Sequence, residues 1–238
     1  VSSPRLHRIG HGGASALVPG NTLESFDLAR SIGIDMIEFD LRGWRGELVL
    51  AHTIFDARRP DNVRLDRALS YLAGRRFAEI ELNLDLKHLG CEVAVLDALR
   101  RYGLLARTLI SCQLPAVVDR VRVLDPQART GISVGGRLAR LTGRRTAWRA
   151  EALAGLAARR WDALLVQHRL VDRQLVAEVA NRGGPLYAWT ANQRDVIERL
   201  RAQEVHGITT ADPRLFHSPV AQLPQLDPGG RRGQLTAG

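Results

Sequence analysis

A chain of 238 residues is long enough for one complete α/β barrel, which takes about 250 residues, and nothing in the composition divides it in two. The hydrophobic share of 45% is that of a globular protein, and no apolar run approaches the ~18 residues of a membrane span. The two cysteines, Cys91 and Cys112, are too few for a disulfide framework and read as small buried hydrophobes. The net charge of +9 admits nucleic acid, an anionic surface or a small anionic substrate. However, the arginines are scattered along helices and no RNP-type or zinc-finger spacing accompanies them, so nucleic acid is not expected as a partner. The segment Val1 to Gly13 has no apolar h-region, which predicts a cytoplasmic protein without a signal peptide.

Short apolar strands alternate with amphipathic helices, the pattern of a parallel α/β protein. The first strand runs from Leu6 to Gly12. A helix follows from Thr22 to Ile32, with Asn21 as its expected cap and Glu24 completing a capping box. The second strand is Asp35 to Leu41, and Glu47 to His52 is a further short extended segment. Helix Leu65 to Ala73 precedes the third strand, Ile80 to Lys87, and helix Glu92 to Tyr102 follows it. Then come strand Thr108 to Cys112, helix Pro115 to Leu124, strand Thr130 to Val134 and a helix near Ala150 to Arg159. Strand Ala163 to Gln167, helix Asp172 to Asn181, strand Leu186 to Thr190, helix Arg194 to Gln203 and strand Gly207 to Thr210 complete the pattern. Eight such units predict a TIM (β/α)8 barrel. An open doubly wound sheet is the competing architecture, but no GxGxxG turn follows the first strand. Residues 1–217 read as the barrel domain, and 218–238, rich in Pro, Gly and Gln, as a disordered tail.

In a barrel, reactive groups gather at the carboxyl ends of the strands. Those ends carry His11-Gly12-Gly13, Glu38-Phe39-Asp40, His52, Asp85-Leu86-Lys87 and Trp189-Thr190-Ala191-Asn192. Strand alternation puts Glu38 and Asp40 on one face, and Glu81, Asn83, Asp85 and Lys87 on another shared face. The intervening Ile37, Phe39, Leu82, Leu84 and Leu86 are left to pack under the helices. Three converging carboxylates repel one another unless a cation joins them, and an all-oxygen set suits Mg²⁺ or Ca²⁺. Lys87 is the only lysine in the chain, every other strong base being arginine. A compact ammonium is therefore expected beside a phosphate. Two imidazoles, His11 and His52, supply the acid and base that phosphodiester cleavage needs near neutral pH. His7, His88, His168, His206 and His217 lack this convergence and read as structural. Taken singly, each candidate also has an ordinary reading: His11 as a turn residue, Glu38 and Asp40 as partners of Arg42 or Arg45, Trp189 as core.

The stretches His11-Gly12-Gly13-Ala14-Ser15 and Pro19-Gly20-Asn21-Thr22-Leu23-Glu24-Ser25-Phe26 resemble the signature of the glycerophosphodiester phosphodiesterase family. Ile37-Glu38-Phe39-Asp40 resembles its Glu-x-Asp metal pair, and His52 its second histidine, with Thr53 where Asp is usual. Asn83-Leu84-Asp85-Leu86-Lys87 resembles its third-strand motif. Asp85 there replaces the usual Glu, as in the related sphingomyelinase D-type phospholipases. Trp189-Thr190-Ala191-Asn192 and Gly207-Ile208-Thr209-Thr210-Ala211-Asp212-Pro213 resemble its last motifs, so the likeness covers roughly residues 6 to 216. The resemblance implies a TIM barrel that hydrolyses glycerophosphodiesters to an alcohol and glycerol phosphate. It implies Mg²⁺ or Ca²⁺ on Glu38, Asp40 and Asp85, with His11 and His52 as acid–base pair. Lys87, Trp189 and Arg42 are then expected to hold the substrate. It also implies attack by a substrate hydroxyl, giving a cyclic phosphate that water opens.

Two departures bear on the substrate grip. The family's Arg and Glu in the first motif are Gly12 and Gly20 here, a paired loss that avoids an orphaned buried charge and that Arg42 or another arginine would offset. Two further readings stand beside the small-substrate hydrolase. One is a phospholipase D-like lipid phosphodiesterase, against which no long apolar loop for membrane insertion is present. The other is a degenerate barrel that only binds a phosphodiester. The sequence leaves the oligomeric state open.

Overall fold

The computed structural model describes residues 6–135 and 147–217. Eight parallel strands close on themselves: β1 (His7–His11), β2 (Met36–Trp44), β4 (Glu81–Leu86), β5 (Thr108–Cys112), β6 (Arg129–Val134), β7 (Ala163–Gln167), β8 (Leu186–Trp189) and β9 (Gly207–Thr210). The ladder runs in that order round to β9, and β9 pairs with β1 while β1 pairs with β2. This closure excludes the open doubly wound sheet and establishes the TIM barrel. The ninth strand, β3 (Glu47–Leu50), is antiparallel and pairs with β2 from Leu41↔Leu50 to Trp44↔Glu47. Within the described residues no helix is long and apolar enough to cross a membrane. The expected disordered tail, 218–238, lies outside the described residues.

Alternation sorts the strands' side chains as the period of two requires. Ile37, Phe39, Leu41, Leu82, Leu84 and Leu86 face outward, fully buried, into the layer between strands and helices. Phe39 stacks there on Phe26 of helix α1 (Leu23–Ile32) with ring centroids 5.7 Å apart. Each such side chain contributes about 1.5–3 kcal/mol by leaving water, and Phe39→Ala would cost about 3–5 kcal/mol by leaving a cavity in this layer. A second, smaller cluster of Ile9, Met36, Leu109, Ala163, Leu165 and Tyr187 fills the barrel itself, with Trp189 packed on it. This plug is the floor on which the site rests.

The helices lie on the predicted segments: α2 (Leu65–Leu72), α3 (Glu92–Arg101), α4 (Pro115–Leu124), α5 (Ala147–Ala157), α6 (Arg173–Ala180) and α7 (Arg194–Ala202). The start of α1 corrects the sequence expectation. Its cap is Thr22, whose hydroxyl accepts from Ser25 N at 3.1 Å. Asn21 instead takes a left-handed φ of 58° and turns its amide elsewhere. Glu24 stays exposed on the first turn and makes no capping box. Cys91 and Cys112 are free and buried, as expected.

Candidate active site

The turn after β1 is folded tightly onto α1. Gly13 has φ 83°, and a Cβ on it would lie 2.6 Å from the carbonyl oxygen of Ser25, so this position requires glycine. Ser25, fully buried, donates its hydroxyl to Gly12 O at 2.7 Å and accepts from Ala14 N at 2.7 Å. The turn so fixed presents Gly12 N to Glu38 Oε2 at 3.0 Å. It also sets the His11 ring, whose Nε2 lies 4.0 Å from the same carboxylate oxygen and whose Nδ1 lies 3.4 Å from Ser15 Oγ.

Glu38, Asp40 and Asp85 are all buried, and an oxygen from each lies within 4.8 Å of the others. The register accounts for this: Asp40 pairs across the ladder with Asp85, and Glu38 with Asn83. Supporting groups orient each carboxylate. Asn21 donates its Nδ2 to Asp40 Oδ2 at 3.0 Å and accepts the Asp40 N–H on its Oδ1 at 3.0 Å. Ser111 donates to Asp85 Oδ1 at 2.8 Å. Lys87 Nζ lies 2.6 Å from Asp40 Oδ1 and also bonds Asp85 Oδ2.

The cluster splits its protonation behaviour. Burial, with Asp40 close by, raises the Glu38 carboxyl well above its ordinary range against the pull of Lys87. Burial would raise Asp40 too, but the His52 hydrogen bond and the Lys87 charge overcome it and hold that carboxyl below the usual range. Burial pushes Lys87 down, and the charges of Asp85, Asp40 and Glu38 outweigh it and raise the ammonium. One partly buried ammonium among three carboxylates leaves net negative charge that a hard cation would satisfy. The all-oxygen donor set fits such an ion.

His52 follows β3, and its Nδ1 lies 3.2 Å from Asp40 Oδ1. A proton held on Nδ1 by that carboxylate would leave Nε2 as the position that exchanges with a ligand. Burial pulls the His11 imidazole below its ordinary value, with Asp40 opposing and Lys87 and His52 assisting. Burial thus favours the neutral form of His11.

A cavity of about 280 Å³ unites these groups at the carboxyl ends of the strands. His11, Glu38, Asp40, His52, Asp85, Lys87 and Trp189 all line it. Arg42 does not: β2 leaves the barrel beyond Leu41, and the Arg42 Nε donates instead to the His52 carbonyl at 3.0 Å. The other histidines stand apart from the cavity; His88, for example, accepts from Gly43 N at 2.7 Å. Sequence reasoning missed Asn21 and Ser111 as supports of the carboxylates. It placed Asn83 on the inner face without giving it a role. Asn83 Oδ1 and Trp189 Nε1 are buried and lack hydrogen-bond partners among the described residues, so both are available to a ligand.

The fold and its relatives together make this chain a phosphoric diester hydrolase built on a (β/α)8 barrel. More narrowly, it belongs to the glycerophosphoryl diester phosphodiesterase family, whose pattern matches residues 11–53 and 81–215. YhdW of Bacillus subtilis, provisionally named a glycerophosphodiester phosphodiesterase, is 23% identical over 240 residues, covering 87% of this chain and 95% of that protein. Among solved structures, a glycerophosphodiester phosphodiesterase from Agrobacterium tumefaciens superposes with a TM-score of 0.70 at 18% identity, over 89% of this chain and 99% of that one. A phosphodiesterase from Oleispira antarctica, determined with its product sn-glycerol-3-phosphate, superposes with a TM-score of 0.72 at 21% identity, over 87% and 94%.

Proposed function

We propose that this chain hydrolyses small glycerophosphodiesters to an alcohol and glycerol phosphate, with a divalent cation held by Glu38, Asp40 and Asp85 and with His11 and His52 exchanging the protons. The observation that carries this reading is the meeting of three carboxylates, Lys87 and both histidines in one cavity of about 280 Å³. When bound, Mg²⁺ or Ca²⁺ would supply Lewis-acid stabilisation of charge on the phosphoryl oxygens. Lys87 adds a fixed positive charge beside the same position.

His11, half-buried at the cavity wall, takes the proton from the attacking hydroxyl. His52, held through Nδ1 by Asp40, delivers a proton from Nε2 to the leaving oxygen. Trp189 Nε1 offers a hydrogen bond to a phosphate or hydroxyl oxygen, and Asn83 Oδ1 accepts one from a substrate hydroxyl. Arg42 acts at one remove, holding the main chain of His52. A product-bound relative from Oleispira antarctica supports glycerol phosphate as the product class. A domain spanning 1–217, acting in the cytoplasm, is part of this reading.

The test is turnover of a panel of deacylated glycerophosphodiesters with Mg²⁺, with Ca²⁺ and with chelator. His11→Ala and His52→Ala should each lower kcat by about 10²–10⁴-fold, the usual contribution of a general acid or base. Folded protein that turns over no member of the panel with either ion would overturn the reading.

A further inference from the structure

Six large apolar side chains stand exposed among the described residues: Ile54, Phe55, Leu89, Val93, Leu114 and Val123. Five of them are at the carboxyl end of the barrel. Ile54 and Phe55 follow β3, Leu89 and Val93 flank the start of α3 after β4, and Leu114 caps α4 after β5. Three stand one or two positions from a residue lining the catalytic cavity: Ile54 from His52, Leu89 from Lys87, Leu114 from Gln113. Phe55 is 72% exposed, an orientation that water disfavours.

The segment that carries Ile54 and Phe55 is net positive. Residues 42–64 hold five arginines against Glu47, Asp56 and Asp61. Glu47 is paired with Arg64, and Asp56 is turned onto the Thr53 hydroxyl at 2.6 Å. That leaves Arg42, Arg45, Arg58 and Arg59 against Asp56 and Asp61, so the segment is net positive. The Arg58 guanidinium lies 5.3 Å from the Phe55 ring centre and 5.5 Å from that of Trp44, and Arg45 lies 5.6 Å from Trp44. Apolar tips interleaved with arginine are the composition of a surface that rests in the interfacial layer of an anionic bilayer. An acidic peptide would need a groove. Here the apolar residues come from three separate loops around one opening, which suits a broad surface.

We propose that the end of the barrel bearing the β3–α2, β4–α3 and β5–α4 loops docks peripherally on anionic lipid membranes, with Ile54 and Phe55 entering the headgroup layer and Arg45, Arg58 and Arg59 meeting the lipid phosphates. The docked face is the one through which the cavity opens. This goes beyond the hydrolytic reading and does not depend on it.

The experiment is co-sedimentation of the full chain with phosphatidylcholine vesicles, with and without phosphatidylglycerol, across a salt series. Wild-type protein should bind only where phosphatidylglycerol is present, and more weakly as salt rises. The Ile54→Ser/Phe55→Ser double variant should bind at least about tenfold more weakly, the loss for roughly one large apolar side chain no longer buried. Arg58→Ala/Arg59→Ala should flatten the salt dependence. Thermal unfolding midpoints and turnover of a soluble diester, read on the same preparations, should stay at wild-type values in both variants, since none of the four residues lines the cavity. Equal binding to neutral vesicles, no vesicle binding, or retention of an acidic protein but not of vesicles would overturn the proposal, as would undiminished binding by the serine variant. Vesicle binding without diester turnover would leave docking standing and count against the hydrolytic reading alone.

Discussion

Lys87 Nζ sits 2.6 Å from Asp40 Oδ1, inside a cluster of three buried carboxylates that this ammonium partly neutralises. Removing its charge leaves carboxylates unpaired in a buried site. Lys87→Met should therefore destabilise the cation-free protein by about 3–5 kcal/mol, and added Mg²⁺ or Ca²⁺ should recover part of that loss. Lys87→Arg keeps the charge but spreads it over a planar fork, so stability should return further than turnover. Denaturant unfolding with and without cation, beside kcat, checks both.

Glu38 gives the cation-free protein a pH dependence of opposite sign to that of a paired carboxylate. Its folded-state value is raised by burial and by Asp40. Between the ordinary carboxyl range and that raised value, the folded protein holds a proton that the unfolded chain has released. Stability therefore falls as pH rises through this window and levels off above it. A bound cation keeps Glu38 ionised, so cation binding there should release a proton and remove the Glu38 contribution to the decline. Calorimetric titration in buffers of different ionisation enthalpy measures the proton, and Glu38→Gln should abolish its release.

Asn21 and Thr22 are neighbours with separable roles. Thr22 caps α1, and Thr22→Ala should cost about 0.5–2 kcal/mol of stability with kcat unchanged. Asn21 makes two hydrogen bonds to Asp40, so Asn21→Ala should cost about 1–3 kcal/mol and also weaken cation affinity. Metal titrations monitored by thermal unfolding separate the two. Equal cation affinity in both variants would refute the division.

Side chains placed on Gly12 and Gly20 would meet the same neighbourhood. A Cβ on Gly12 would stand 3.5 Å from Gly20 Cα, at a φ of 54°, and a Cβ on Gly20 would lie 2.6 Å from Ser15 Cβ. Ser15 in turn contacts His11. Gly12→Arg and Gly20→Glu should each lower stability and turnover. The double variant should depart from the sum by about 0.5–3 kcal/mol, because contacting sites couple. Additive effects in the full cycle would end the idea that the two glycines replace an interacting pair.

Much of this was legible before the fold was in hand. Strands Thr108–Cys112, Ala163–Gln167 and Gly207–Thr210 and helix Pro115–Leu124 match their predicted bounds, because short apolar runs between turn residues leave one solution. The period of two placed Glu38, Asp40 and Asp85 on the inner face, and the cavity contains them. Three things were not legible, each set by a pairing that residue type and period do not report. Alternation cannot tell which strand an extended segment joins, so the antiparallel pairing of β3 was hidden. Arg42 was expected to offset the arginine missing at Gly12, but β2 has left the barrel by that point and Arg42 does not line the cavity. The cap on α1 was misplaced by one residue because Asn21 is a good cap by type and is drawn away by Asp40.

The two histidines stand on ground of unequal firmness. His11 ends a strand flanked by β2 and β9. His52 follows the two-stranded ribbon of β2 and β3, which packs on the main core through Leu48 and Leu50 on one face and on a small separate cluster of Val49, Ala51, Ala57 and Trp44 on the other. Such a ribbon opens at lower free energy than the barrel that carries it. In rising denaturant the protein should lose catalysis while its circular dichroism is still native, and the amides of β3 should exchange ahead of those of β1. The folded population would then overstate the active one, with the ribbon as its reversible off state.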